Sequence, residues 1–148
     1  MSMWFGNDFG GKMVIFEWDD GLSIGIEKID NQHKELIKRL DDLAECILHN
    51  KGKDKIFTTL RFMNEYGTIH FSTEEEYMTK YDYPGLDEHK KQHEKFNDTT
   101  NKLIKSLKEE KDMESFASSV QRFLIDWLIL HIKTSDQNFG EFFKEKKI

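Results

Sequence analysis

The chain has 148 residues, the length of one ordinary domain, with 34% charged residues and a formal net charge of −6. This negative balance disfavours nonspecific binding to nucleic acid or to anionic membrane surfaces, because both present repelling negative charge. One cysteine excludes an intramolecular disulfide, and the sequence has neither a signal-peptide pattern nor a run of about 20 apolar residues, so we expect a cytoplasmic protein without membrane insertion.

Residues 1–28 are predicted to form an irregular N-terminal arm. "MSMWFGNDFGGK" is rich in glycine and aromatic residues, and "IFEWDDGLSIGI" is typical of an extended segment. We expect this arm to pack across a helical domain with Phe16 and Trp18 as anchors. Residues 29–148 would then form the rest of a single domain that spans residues 1–148.

Two helices are predicted in the next part of the chain. Apolar residues at spacings of three and four predict the first helix from about Ile29 to His49. The second is expected to have Asp54 as its N-cap and to end before Pro84, because a residue that precedes proline is disfavoured in helical geometry. Its predicted apolar stripe consists of Ile56, Leu60, Met63, Tyr66, Ile69 and Tyr77.

Two further helices follow Pro84. A third helix is predicted from about Leu86 to Leu107, and a fourth begins after its expected cap, Asp112. The predicted inward positions of the fourth helix are Phe116, Val120, Phe123, Leu124, Trp127, Leu128 and His131. Short connections between amphipathic helices predict an all-α protein, an antiparallel up-down-up-down four-helix bundle, with "DQNFGEFFKEKK" as a short C-terminal helix.

Five of the six histidines lie on these four helices. They are His33 on the first helix, His70 on the second, His89 and His93 on the third, and His131 on the fourth. His49 is interpreted instead as a helix-end residue that meets free carbonyl groups and the negative end of the helix dipole. Neutral imidazoles in a core need partners and crowded imidazolium ions repel one another, so the five together indicate a metal site.

Two carboxylates sharpen this interpretation. Glu74 lies four residues after His70 on the same helix face, and Asp136 lies five residues after His131, within reach if its side chain bends inward. Seven nitrogen and oxygen ligands are too many for one tetrahedral zinc ion. They suit two octahedral metals bridged by two carboxylates. Glu75 and Glu76 are interpreted as a solvated negative face.

Five segments of the sequence together resemble a known protein family. "DNQHKEL", "HFSTEEE", "HKKQHEKF" and "WLILHIKTSD", with the lead-in "EWDDGLSIGIEKID", together resemble the signature segments of the hemerythrin family, specifically its prokaryotic single-domain, bacteriohemerythrin-like members. The resemblance implies a non-haem centre of two iron ions (Fe2+/Fe3+) that binds dioxygen reversibly.

The same resemblance implies a role for each ligand. One iron, with an open position for dioxygen, would be held by His33 and His70. The other iron would be held by three histidines, which are His89, His93 and His131. Glu74, Asp136 and an oxo or hydroxo group would bridge the two ions.

Reversible oxygen binding also requires a dry pocket. The expected pocket residues are Leu36, Phe71, Trp127, Leu128 and Ile132. Candidates for hydrogen bonds to the outer nitrogens of the ligand histidines are Gln32, Glu35 and Glu94. Gly67 is interpreted as a site of close helix packing, with a wider route to the iron as the alternative.

Several functions share this ligand set. The first is a binding protein for oxygen storage, transport, delivery or scavenging, whose partners would be dioxygen and a reductase or an oxygen-consuming acceptor. The second is an oxygen or redox sensor that acts through the N-terminal arm, and the third is a di-iron peroxidase, oxidase or nitric-oxide-handling enzyme. Sensors are usually fused to output domains, and the chain length favours the first function. A ferritin-like oxidase is disfavoured because no histidine has a glutamate three residues before it.

Overall fold

The computed structural model describes residues 8–9, 12–13 and 17–146. Three long helices are α1 (Glu27–Leu48), α2 (Lys53–Lys80) and α3 (Leu86–Leu107). The fourth helix consists of α4 (Met113–Val120), α5 (Asp126–His131) and α6 (Gln137–Lys146), which are joined without a break by the π-helical segments Gln121–Ile125 and Ile132–Asp136. The predicted all-α four-helix bundle is thereby confirmed.

Outside the bundle, the described part of the arm contains little regular structure. Strands β1 (Asp8–Phe9) and β2 (Lys12–Met13) form a two-stranded antiparallel ribbon, and Asp20–Leu22 forms one 3-10 turn. None of the described helices is both long enough and apolar enough to cross a membrane.

The helix boundaries agree with the sequence prediction except at the start of α2. The Asp112 side chain caps α4 as expected, since its Oδ1 accepts a hydrogen bond from the Ser115 backbone N–H at 3.1 Å. Asp54 is not the N-cap of α2, because the helix already begins at Lys53. The N-cap is Gly52, the residue before Lys53, and its φ of 97° is a conformation that glycine adopts without strain. Asp54 instead places its negative charge in the first helical turn, where the helix dipole favours it.

Two residues predicted to face the core are on the surface. Ile69 is 58% exposed, because its neighbours His70 and Phe71 occupy the inward face of α2 at this level. Phe123 is 50% exposed and lies in the first π-helical segment, whose wider turns shift the register of the side chains relative to an α-helix.

The core consists of two apolar clusters. The large apolar cluster draws residues from all four helices, among them Leu40, Leu60, Phe96 and Leu124. The small apolar cluster lies at the other end of the bundle and is made of Ile24, Ile26, Ile29, Met78, Phe139 and Phe143. His33, Glu74 and Asp136 each fall between a residue of the large cluster and one of the small cluster along their helices.

Hydrogen bonds join the arm to the first helix, α1, and to the last helix, α6. The Asp30 carboxylate accepts hydrogen bonds from the Ser23 hydroxyl and, at 2.9 Å, from the Ile24 N–H. Gln137 on α6 donates its Nε2–H to the Leu22 carbonyl at 2.8 Å. Trp18 packs half-buried against the large apolar cluster, as predicted. Phe16, the other predicted anchor, lies outside the described residues.

Two helical glycines allow close approaches of different kinds. A Cβ atom at Gly140 would lie 2.8 Å from the backbone oxygen of Ile24, so this glycine lets the arm contact α6. A Cβ atom at Gly67 would lie 3.4 Å from Cε2 of Phe96 and 3.8 Å from Cε2 of Phe71, which are atoms of side chains. This contact agrees with the close-packing interpretation of Gly67.

We expect the same substitution at these two glycines to have different effects on stability. Gly140→Ala should lower the free energy of unfolding by about 1–3 kcal/mol, because backbone atoms of the arm must move. Gly67→Ala should change the free energy of unfolding by less than about 1 kcal/mol. Alanine favours the helix by about that amount, and the Phe96 ring needs to move only slightly to make room for the new methyl group. Urea unfolding of both variants in the same metal state checks this, and equal losses would contradict it.

Candidate metal centre

Seven side chains with metal-binding groups meet between the two apolar clusters. They are the seven predicted ligands: His33, His70, Glu74, His89, His93, His131 and Asp136. None of them is more than 4% exposed. The structure therefore brings together the whole set that the sequence singled out, and it leaves His49 exposed at the C-terminal end of α1.

A π-helical segment explains how His131 and Asp136 reach the same site. In an α-helix, residues five apart point about 140° away from each other. In a π-helix, whose hydrogen bonds run from i to i+5, such residues share one face. The segment Ile132–Asp136 is π-helical, and Asp136 Oδ1 lies 3.2 Å from His131 Nε2. The backbone geometry, and not a bent side chain as expected, places Asp136 at the site.

The ligands form two groups that share both carboxylates. The first, the two-histidine group, contains His33 and His70 around Glu74 Oε2 and Asp136 Oδ2. His33 Nε2 lies 3.3 Å from Glu74 Oε2 and 3.0 Å from Asp136 Oδ2, and His70 Nε2 lies 3.2 Å from Glu74 Oε2. The ligand atoms of this group all lie within 4.8 Å of one another.

The second, the three-histidine group, contains His89, His93 and His131 around the other two carboxylate oxygens. His93 Nε2 lies 3.0 Å from Glu74 Oε1, and His89 Nε2 lies 2.9 Å from Asp136 Oδ1. Each carboxylate thus directs one oxygen to each group. This is the arrangement in which two carboxylates can bridge two metal ions.

The buried polar atoms at the centre are poorly satisfied by one another. Those without a correctly aligned hydrogen bond among the described residues include the Nε2 atoms of His70, His93 and His131, Glu74 Oε1 and Asp136 Oδ2. Leaving a buried polar group unpaired costs about 1–3 kcal/mol. Metal ions would satisfy these lone pairs together, and imidazole with carboxylate is a suitable donor set for iron. The residues therefore fit two metal ions.

The electrostatics of these side chains lead to the same conclusion. Burial opposes a charge on His33, but hydrogen bonds to Asp136 and Glu74 outweigh it and raise the pKa of His33 to about 10. The same balance between burial and the two carboxylates raises the pKa of His89 to about 9. Burial alone would raise the pKa of Glu74, yet the adjacent histidines, with His70 foremost, hold it well below its usual range. Protons thus occupy positions where a metal ion can bind instead.

Outer hydrogen bonds fix the orientation of three ligand rings. The Nε2 atoms of His70 and His131 face the site, so each Nδ1–H donates outward: His70 to Gln32 Oε1 at 2.8 Å and His131 to Gln92 Oε1 at 2.7 Å. The Gln32 amide is itself oriented, since its Nε2–H donates to Thr73 Oγ1 at 3.2 Å. Of the residues predicted for this role, Gln32 is confirmed.

The third outer hydrogen bond corrects the sequence interpretation. His93 Nδ1 lies 2.7 Å from Glu75 Oε2, so Glu75 belongs to the site and not to a purely solvated face. Glu35, another candidate, instead accepts a hydrogen bond from Arg39 on its own helix at 2.8 Å, and Glu94 is exposed. Sequence spacing could not assign any of these partners to its ring, because Gln32, Glu75 and Gln92 each bond to a histidine on another helix.

Aromatic rings enclose the three-histidine group on one side. Phe71 stacks on His93 with ring centroids 3.9 Å apart and an interplanar angle of 11°. Trp127 stacks on His131 at 4.8 Å and 9°, and Phe96 contacts both Phe71 and Trp127. The aliphatic residues predicted for the oxygen pocket are all buried in the large apolar cluster, and these are Leu36, Leu128 and Ile132.

Comparison with known proteins agrees with this geometry. The family model described as "Hemerythrin HHE cation binding domain" matches residues 24–143. A bacteriohemerythrin of Clostridium acetobutylicum is 29% identical over 129 residues, which are 84% of this chain and 98% of that protein. A bacteriohemerythrin of Stenotrophomonas maltophilia is 30% identical over 87% of this chain and 82% of its own, and a myohemerythrin of Theromyzon tessulatum is 30% identical over 82% and 88%. The chain belongs to the hemerythrin family.

Proposed function

We propose that this chain binds dioxygen reversibly at a non-haem di-iron centre formed by the two-histidine and three-histidine groups. The observation that carries the proposal is the division of each carboxylate between the groups, with one oxygen of Glu74 and one of Asp136 on either side. Membership of the hemerythrin family implies oxygen binding at a di-iron site, and the buried cluster is able to bind metal.

The unequal ligand counts support a single open position for oxygen. The three-histidine group offers three nitrogens and two oxygens, and the two-histidine group offers two nitrogens and two oxygens. With one solvent-derived bridge shared between octahedral ions, the ion at the three-histidine group would be saturated and the ion at the two-histidine group would keep one position free. In this proposal, His33 and His70 hold the iron with the free position.

The chain's own residues would then supply orientation and exclusion of water. Gln32, Gln92 and Glu75 hold three imidazole rings with Nε2 toward the centre. Phe71 and Trp127 cover two of those rings and keep water away. When bound, the iron pair, in its ferrous and ferric states, supplies the electrons and the open position that reversible oxygen binding requires.

The physiological use that we propose is oxygen storage, transport, delivery or scavenging, with a reductase or an oxygen-consuming acceptor as the partner. One observation favours a sensor as the second candidate. The arm is bonded to Asp30, three residues before His33, and to Gln137, the residue after Asp136. A movement of His33 or Asp136 would therefore be transmitted to the arm through Asp30 or Gln137.

The first expected result concerns metal content. Purified protein should contain two irons per chain and show oxo-to-iron charge-transfer bands in the near ultraviolet and visible. Metal analysis combined with an optical spectrum measures both quantities. One zinc ion per chain and a colourless solution would contradict the proposal.

Single ligand substitutions should remove most of the iron. His93→Ala and Glu74→Ala each delete a ligand, and Glu74 would be lost from both ions, so we expect at least a tenfold loss of iron affinity. His49→Ala is the matched control, because it makes the same histidine-to-alanine change at an exposed position outside the site. Retention of both irons and the native spectrum in either ligand variant would show that the ligand assignment is wrong.

Oxygen binding and catalysis can be separated by their stoichiometry. Stopped-flow mixing of the reduced protein with oxygen should give uptake of one dioxygen per iron pair, and removal of oxygen should reverse it. The same preparation mixed with peroxide and an electron donor should show no sustained turnover. Sustained turnover would favour the enzyme alternative over a binding protein.

A further inference from the structure

We propose that Glu75 is a positioning residue that makes the two iron sites inequivalent by stabilising the ferric state at the three-histidine group through His93. The inference rests on the proposed di-iron function and deepens it. It assigns to this chain a residue that controls which of the two irons is oxidised more readily.

Two consecutive glutamates hold the His93 ring from opposite sides. Glu74 Oε1 lies 3.0 Å from the inner nitrogen, Nε2, and Glu75 Oε2 lies 2.7 Å from the outer nitrogen, Nδ1. The inner nitrogen faces the metal position, so the ring proton is on Nδ1 and is donated to Glu75. The Phe71 ring stacks at 3.9 Å on the same imidazole and keeps it aligned with both carboxylates.

The partner of His93 differs chemically from the other outer partners described above. His70 and His131 donate to neutral amides, those of Gln32 and Gln92, whereas His93 donates to a carboxylate. The Nδ1 atom of His33 has no hydrogen-bond partner within the described part of the chain. Negative charge next to the outer nitrogens is therefore found at the three-histidine group and not at the two-histidine group.

This difference has an electronic consequence for the bound metal. A carboxylate accepts a hydrogen bond more strongly than an amide does, and it makes the imidazole a better electron donor. Stronger donation stabilises Fe3+ more than Fe2+. The iron of the three-histidine group is thus favoured as ferric, and the iron with the open position retains its electron more firmly.

Glu75 lies at the edge of the site and reaches solvent. Its side chain is 27% exposed and lines a surface groove of about 360 Å³ whose other residues include Lys90 and Phe71. Glu76, the next residue, is exposed in the adjoining groove. Glu76 therefore provides a control for the loss of one negative charge at nearly the same place.

The decisive experiment is redox titration of the intact, iron-loaded protein as wild type, Glu75→Gln and Glu76→Gln. Glu75→Gln keeps the shape and can still accept the hydrogen bond, but it removes the charge. We expect its ferric-to-ferrous equilibrium to shift about tenfold toward the ferrous state, which is about 59 mV for one electron. Glu76→Gln should shift by less than about twofold. Equal shifts in the two variants, or none in Glu75→Gln with two irons bound, would overturn the inference.

If Glu75→Gln fails to retain iron, a variant that adds a carboxylate to the same group tests the inference. Gln92→Glu gives His131 a carboxylate partner and leaves Glu75 in place, so the potential should fall. An unchanged potential would overturn the inference, because a carboxylate at an outer nitrogen of the same group would then have no effect. Wild-type protein that lacked two irons or reversible oxygen uptake would instead contradict the proposed function itself. Normal wild-type behaviour with unshifted variants would contradict only the role of Glu75.

Discussion

The fold depends on satisfying a layer of five imidazoles and two carboxylates that lies across the middle of an apolar core. These groups are buried between the large and small apolar clusters, and several of their atoms are not aligned with any hydrogen-bond partner that the described residues offer. Buried polar atoms are costly unless they are paired, and buried charges are more so. Two metal ions held by these side chains would resolve this cost at once, and metal binding would then stabilise the bundle.

The periodicity of the helical backbone places the predicted ligands on the faces of the helices that meet at the site. Spacings of four residues place His70 with Glu74, and His89 with His93, on one α-helical face. The five-residue spacing from His131 to Asp136 requires a local π-helix, and the structure has one at that place. A π-helical turn is rare and less favourable than an α-helical turn, and here it turns a carboxylate toward the site that all four helices share.

The proposed function depends on the difference between the two-histidine group and the three-histidine group. The two groups share both carboxylates but differ by one histidine, so one of two bound ions would have fewer protein ligands. The outer hydrogen bonds differ in the same direction, since the three-histidine group includes the carboxylate of Glu75 and the two-histidine group includes an amide. Ligand number and outer charge would act together to separate the iron that binds oxygen from the iron that donates an electron to it.

The amino-acid sequence was enough to predict the helical periodicity, the seven side chains that meet at the candidate site and the family resemblance. These features are readable because each helix repeats one backbone hydrogen-bond pattern, which turns sequence spacing into a shared face. The same local reasoning was wrong for Asp54, Ile69 and Phe123, where the start of a helix, a competing inward face and a π-helical segment decided the outcome. That residues 1–148 form a single domain stays a prediction.

The way in which the groups face one another followed from the packing of the helices. This packing assigned one oxygen of each carboxylate to each histidine group, and it placed Gln92 and Glu75 against His131 and His93. These pairs join residues 39 and 18 positions apart on different helices. Their contact depends on how the helices are rotated and packed against one another, and helix rotation is set by the whole core and is not encoded in any local spacing.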